Sequence, residues 1–541
     1  MRSDTRSFFG WGGAALLAAA GLAAPCFAAG LWQNKNSPSA RVHQQQGMAY
    51  LNQHNLPHAL DEFRAAVLLD PQDPVSYDNL GIALAESGQN DEAAEEFERA
   101  VRLSGNFALA HFHLALAYDR LGRTSKAIPE YEAALRIEPG LIDARYALSA
   151  DCWKLGDFDG AIQLLRQIVK QNPPFAAEVH YNLGLELKQI GNLDAAAREI
   201  KIAVALQGNS PKVYLGLCQI LTEKLDLDGA IASAKKAIEL APGNPESNYD
   251  LAEALRLKGE LDLAEAQFNR VLKLNPGYPG AQRQLGIVLR QKGSYEAAAV
   301  QLQDAAQEDP QDAKARYYLG SVLLKLDHVK GAIEELTQAV RLNPYDSAVH
   351  ITLAGALNRV GKAQDAQQEI KKAQTLKDLE ANAGRSRVLL GSAEAHLNKN
   401  EIEAALTELR QAAQLSPDYP EAQFDLARAL QRKGAPPVEV EKVLRRVIDL
   451  KSDYAQAHLQ LGLVLESTGQ TAEAATEFQR ALDLAPSLVE AHRALGKSAR
   501  AARDWPAAIS EFGAILVWDE NDRAARQNLA FAQAQQKQPA K

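Results

Sequence analysis

The residues able to do chemistry are few and scattered. His111-x-His113 and His54-x3-His58 are the only close histidine pairs, and the second crosses a turn between two expected helices. A zinc site would need further ligands at compatible spacing, and the cysteines, Cys26, Cys152 and Cys218, offer no pair at zinc spacing. There is no Gly-rich phosphate loop, no G-x-S-x-G elbow and no H-E-x-x-H pair. No nucleophile, base and oxyanion set converges. The expectation is a chain without catalytic residues, metal or cofactor.

The elements that carry these residues explain the scatter. Alanine recurs at 59, 93, 127, 161, 196, 230, 264, 298, 332, 366, 405, 474 and 508, almost always 34 residues after the last. A fixed period of this length marks a solenoid, in which a unit cannot bury its apolar face alone and must stack on its neighbours. In the clearest copy, 74–107, Tyr77, Leu80, Gly81 and Leu84 share one face of a helix, Gly88 ends it, and Asn90 or Asp91 starts a second helix that buries Ala93, Phe97 and Ala100. Prolines such as Pro71, Pro139, Pro276 and Pro344 close the units.

This pattern of Leu-Gly, Tyr, Ala, Phe, Ala and Pro resembles the tetratricopeptide repeat (TPR) family. Fourteen copies begin near Ala40, Pro74, Ala108, Ile142, Ala177, Pro211, Pro245, Pro279, Ala313, Ser347, Ser386, Pro420, Ala455 and Val489. The resemblance implies an all-α, right-handed superhelical solenoid of about 14 stacked helix-turn-helix units. The eighth residue of every unit is small, from Gly47 to Gly496, which lets helix backbones approach closely. The tenth unit has Asp378 in place of its proline and runs long, so 378–385 is expected to be an extended helix end or a joint. The twelfth carries Pro436-Pro437 in its turn and Val440 at the alanine site. The expected organisation is repeats 1–10 over 40–380, repeats 11–14 over 381–522, and a capping helix and tail over 523–541.

Six histidines, His43, His111, His180, His350, His458 and His492, occupy the fourth residue of their units, where the family has an aromatic. Imidazole is expected to replace a half-buried ring there; a distributed pH response is the alternative.

The resemblance places the binding surface on the first helix of each unit, which lines a concave groove. The fifth residue is Phe112, Tyr146, Tyr181, Tyr249, Tyr317 or Phe424 in six units, with Trp153 and Tyr318 nearby. These rings either fill space between helices or grip an extended protein segment or a glycan, with Asn79, Asn182, Asp250, Arg256, Arg283 and Arg290 supplying polar contacts. Two of the family's specialisations are not supported. No unit carries the Lys and Asn of the dicarboxylate clamp, and only Asn79 and Asn182 fit the asparagine ladder of the O-linked N-acetylglucosamine transferases.

The N-terminus is written differently. Arg2 and Arg6 precede the apolar run GAALLAAAGLAA, then Pro25 and the small residues around Ala28. This order describes a secretory signal peptide over 1–28, followed by a tether over 29–39. The expected location is periplasmic or secreted. An uncleaved membrane anchor is the alternative, since 10–30 is nearly long enough to span a bilayer.

Composition agrees with an exported scaffold: 46% of residues are hydrophobic and 23% charged. The net charge of −9 makes nucleic acid an improbable partner. The functional expectation is a non-catalytic scaffold of the kind found among exported bacterial multi-repeat proteins, holding a protein or peptide in its groove. The alternative is the recognition subunit of a glycosyltransferase or polysaccharide-export complex.

Overall fold

The computed structural model describes residues 38–537; the expected signal peptide and most of the tether lie outside them. Twenty-eight helices and no strand occur among the described residues. Helix Pro74–Glu86 shows how the sequence writes a unit. Pro74 sits in its first turn and the Asp73 carboxylate caps it, accepting from the Val75 and Ser76 amides. The helix ends at Gly88, whose φ is +83°, and the next amide, Gln89 N–H, donates to Leu84 O at 2.9 Å. Helix Asn90–Leu103 then runs back with Ala93, Phe97 and Ala100 buried. Units without glycine at this turn hold His54, Leu225, Asp327, Asn400 or Arg503 at φ values of 55° to 62°.

The alanine column, from Ala59 to Ala508, is 0–2% exposed throughout, which fixes the phase of the repeat. The small eighth residue has a steric cause. A Cβ on Gly81 would fall 2.6 Å from the Phe97 ring, and one on Gly462 2.6 Å from Phe478. The second helix thus drives a large apolar side chain onto the backbone of the first, a Phe ring at Gly47, Gly81, Gly462 and Gly496 and an aliphatic chain, Ile200, Leu302 or Leu336, at Gly184, Gly286 and Gly320. At the long junction, helix Ala363–Asn398 runs unbroken for 36 residues, fusing the second helix of repeat 10 with the first of repeat 11. The extended helix end expected from Asp378 is what forms. In repeat 12 the second helix starts at Pro437, and Val440 is 1% exposed in the alanine column. Cys152 and Cys218 are buried and form no disulfide.

The repeats form two compact units. One joins those up to Asn172 with those from Asp453 onward; the other is Pro173–Ser452. Within the first unit lies a contact that neighbour-to-neighbour stacking does not supply. Helix Trp505–Trp518 of repeat 14 packs on Thr124–Ile137 of repeat 3 and Phe158–Lys170 of repeat 4. Val517 and the fully buried Trp518 share one core with Tyr131, Leu135 and Leu164. Polar groups complete the seam. Ser487 donates to Asp157 through its amide at 3.0 Å and its hydroxyl at 2.9 Å, and Gln167 Nε2 donates to Trp518 O at 3.2 Å. The expected capping helix is present as Arg523–Gln536, burying Ala525 and Ala532.

Candidate functional site

The fourth-residue histidines, expected to be half-buried, are buried in every case but His43, and they carry a bond that the sequence reading did not assign. Nδ1 of His43, His111, His180, His350, His458 and His492 lies 2.5–2.8 Å from a glutamate 19 residues later: Glu62, Glu130, Glu199, Glu369, Glu477 and Glu511. In repeats 10 and 14 the other nitrogen faces a carbonyl at the preceding proline, Pro344 O or Pro486 O, at 3.0 Å. Arg316 makes the same clasp in repeat 9, donating from Nε to Pro310 O at 3.1 Å and from Nη1 to Glu335 at 2.9 Å. All seven residues tie the two helices of a unit together, and His350, His492 and Arg316 tie them also to the preceding turn. The pair His111-x-His113 is divided between separate partners, Glu130 and, at 2.9 Å, Asp78. Among the described residues no group of three or more His, Cys, Asp or Glu is placed to hold a metal.

His492 also meets a second carboxylate, with Nε2 at 3.8 Å from Glu132. Burial would lower its pKa, but the Glu511 hydrogen bond and the Glu132 charge raise it. Burial raises Glu132, while His492 and the Trp518 hydrogen bond act in the opposite direction.

The expected groove residues separate by burial. Phe112 and Tyr181 are each 8% exposed and Phe424 is 7%. These rings belong largely to the packing: Phe112 lies 6.1 Å from Tyr131, and Lys212 Nζ covers the Tyr181 ring at 4.7 Å. Tyr146, Trp153 and Asn182 are half-buried, with Trp153 edge-on to Phe158 at 4.9 Å.

In the Pro173–Ser452 unit, the first helices of repeats 7, 8 and 9 bring the remaining candidates together. These helices are Pro245–Lys258, Ala281–Lys292 and Ala313–Lys325. Tyr249 packs edge-on against Phe268 at 5.5 Å and lies 5.2 Å from Tyr278. Arg283 pairs with Asp312. Arg256 pairs with Glu253 at 2.6 Å, the bond that raises its pKa, and lies within electrostatic reach of Tyr318 and Tyr249. The Arg290 guanidinium stacks over Tyr318 at 5.1 Å, and Tyr318 lies 5.1 Å from Tyr317. Tyr249, Tyr278, Tyr317, Tyr318, Arg256 and Arg290 are all half-buried. At the edge of this strip Asp250 accepts from Gln219 Nε2 at 3.2 Å, and burial pushes its carboxyl up to about 7.

Sequence reading missed Tyr278, which lies in the turn between repeats 7 and 8, outside the helical register that was searched. It also missed the glutamate partners, although a second column 19 residues after the histidines is plain in the sequence.

Comparison with known proteins rests on the repeats. Tetratricopeptide repeat models match residues 79–142, 283–347, 440–489 and 459–528, and also 120–184 and 221–285; a further TPR repeat model matches 393–434. A search of curated proteins finds no match. Similar solved structures include MamA from Desulfovibrio magneticus RS-1, at 26% identity and a TM-score of 0.30, covering 31% of this chain and 94% of that one. The C-terminal part of a TPR repeat-containing protein from Cytophaga hutchinsonii is 19% identical with a TM-score of 0.39, covering 45% and 97%. Pseudomonas aeruginosa pilF is 20% identical with a TM-score of 0.34, covering 39% and 95%. With its fixed period, its paired helices and these matches from residue 79 to residue 528, the chain belongs to the tetratricopeptide repeat family.

Proposed function

We propose that this protein is a non-catalytic scaffold acting outside the cytoplasm, in envelope assembly or secretion. It holds an extended segment of a partner protein along the first helices of repeats 7 to 9. The observation that carries this reading is the strip of half-buried rings and guanidinium groups from Tyr249 to Tyr318, gathered from three successive repeats. Half-buried aromatic faces held by their neighbours can bury further area at little cost in conformational entropy. An extended chain advances about 3.3 Å per residue and first helices are spaced about 10 Å apart, so every third side chain of the segment meets a new repeat. Export rests on the order of basic, apolar and small residues at the N-terminus.

The test is site-specific photocrosslinking in envelope extract, with a photoreactive phenylalanine at Tyr249 or Tyr318 and, as control, at the exposed Lys273 on a second helix. Peptides of one partner crosslinked from the first two positions and not from the third are expected. Equal crosslinking from all three positions would refute the groove.

A further inference from the structure

Resting on that reading, we infer that Arg290 is the position at which the groove reads a carboxylate, the side chain of an Asp or Glu in the bound segment. Arg290 differs from the other arginines of the strip. Arg256 is neutralised by Glu253 and Arg283 by Asp312. Arg290 has its guanidinium stacked on Tyr318, and its Nε is buried without a hydrogen-bond partner. A guanidinium placed over a ring face is held at one position, and its terminal Nη1 and Nη2 are the pair that can grip a carboxylate with two parallel bonds. Stacking also orders the side chain in advance, which reduces the entropy lost on binding.

A second unmet group lies on the same helix. The side chain of Gln284 bonds Tyr249 and leaves its amide oxygen buried with no partner, and Gln284 holds in repeat 8 the place that Tyr318 holds in repeat 9. It supplies an acceptor for a backbone N–H of the segment. One unneutralised cation matches one carboxylate. A doubly charged phosphate would find no second free cation in the strip, since Arg256 and Arg283 are already paired. The arrangement does not use the lysine and asparagine of the family's dicarboxylate clamp.

The probe is an immobilised library of synthetic peptides about twelve residues long, more than the span of three first helices. Each peptide is printed with one Glu and again with Gln in its place. Wild-type protein should hold the Glu form about tenfold more tightly, with the preference falling as salt rises. Arg290→Gln should abolish the preference while leaving the melting temperature unchanged, and Arg290→Lys should restore part of it. Equal binding of the paired peptides by wild type, or a preference that survives Arg290→Gln, overturns the carboxylate site. In either case the groove stands if Tyr249→Ala/Tyr318→Ala still abolishes capture. Failure of the wild type to bind any peptide overturns both.

Discussion

The indole Nε1 of Trp518 donates a hydrogen bond of 3.1 Å to Glu132, a residue 386 positions earlier in the chain. Repeat proteins are ordinarily stabilised by nearest-neighbour interfaces, and this bond joins the last repeat to the third. Trp518→Ala should therefore cost about 3 to 5 kcal/mol. Trp518→Phe, which keeps most of the ring but leaves Glu132 buried without its donor, should cost about 1 to 3 kcal/mol. Amide hydrogen exchange should rise together in Thr124–Ile137 and Trp505–Trp518. Exchange rising in Trp505–Trp518 alone would show that the seam does not stabilise repeat 3.

The clasp at the fourth residue gives a paired test. Because Arg316 bonds Pro310 O and Glu335 as His350 bonds Pro344 O and Glu369, His350→Arg should change the denaturation midpoint little. Glu369→Ala strips a buried ring of its acceptor and should cost about 1 to 3 kcal/mol. The reverse order of effects would mean that the histidines act through ring packing alone.

Ala264 has no exposed surface, so Ala264→Leu should overpack the repeat and cost about 1 to 3 kcal/mol. Glu265 pairs with Lys292, which also holds Asp262, so Glu265→Ala should cost under about 1 kcal/mol. Urea midpoints for the two variants settle the phase of the repeat.

Asp250 brings a pH dependence whose sign follows from its environment. Its folded-state pKa, about 7, lies above the ordinary 3.8, so the folded chain binds the proton more tightly than the unfolded chain. The stability linked to this group is complete below pH 3.8 and is lost as pH rises through about 7. Asp250→Asn keeps an acceptor for Gln219 and cannot ionise. Relative to wild type it should gain about 1 to 3 kcal/mol between pH 5 and pH 8, read from urea titrations. Parallel pH profiles would contradict the assignment.

For the N-terminus, intact-mass measurement on protein isolated from its native source should give a chain beginning at Ala29 or Gly30. A mass that retains Met1 to Ala28 would establish the anchored form.

The helix pairs and their turns could be read from the sequence because each is set by local periodicity, caps and breakers, whereas at the tenth repeat the missing proline left an extended helix end or a joint open and the unbroken helix Ala363–Asn398 is seen only in the structure. Gly88 stops a helix whatever lies beyond it, and Ala264 is small because a helix touches it in every repeat. The candidate strip was only half legible. The spacing placed Tyr181 and Tyr249 in one column, yet one ring is covered by Lys212 and the other remains half-buried, a difference set by which side chain the neighbouring helix happens to present. Trp518 gave no sign of its partner. It reads as one more apolar residue at the end of a helix, and nothing in a periodic pattern states that repeat 14 will meet repeat 3.

That meeting sets an order of events during synthesis. The residues up to Asn172 leave the ribosome well before Asp453 is made; at about 5 to 20 residues per second the interval is roughly 15 to 60 s. Throughout it the apolar seat for Trp518 stands open, and only the far end of the same chain can fill it correctly. Shortening the chain by its last two repeats would leave that seat permanently vacant beside otherwise intact repeats. The same seat on one nascent chain is complementary to the Trp505–Trp518 helix of another, so exchange of this helix between chains is the misfolding route that such a closure exposes.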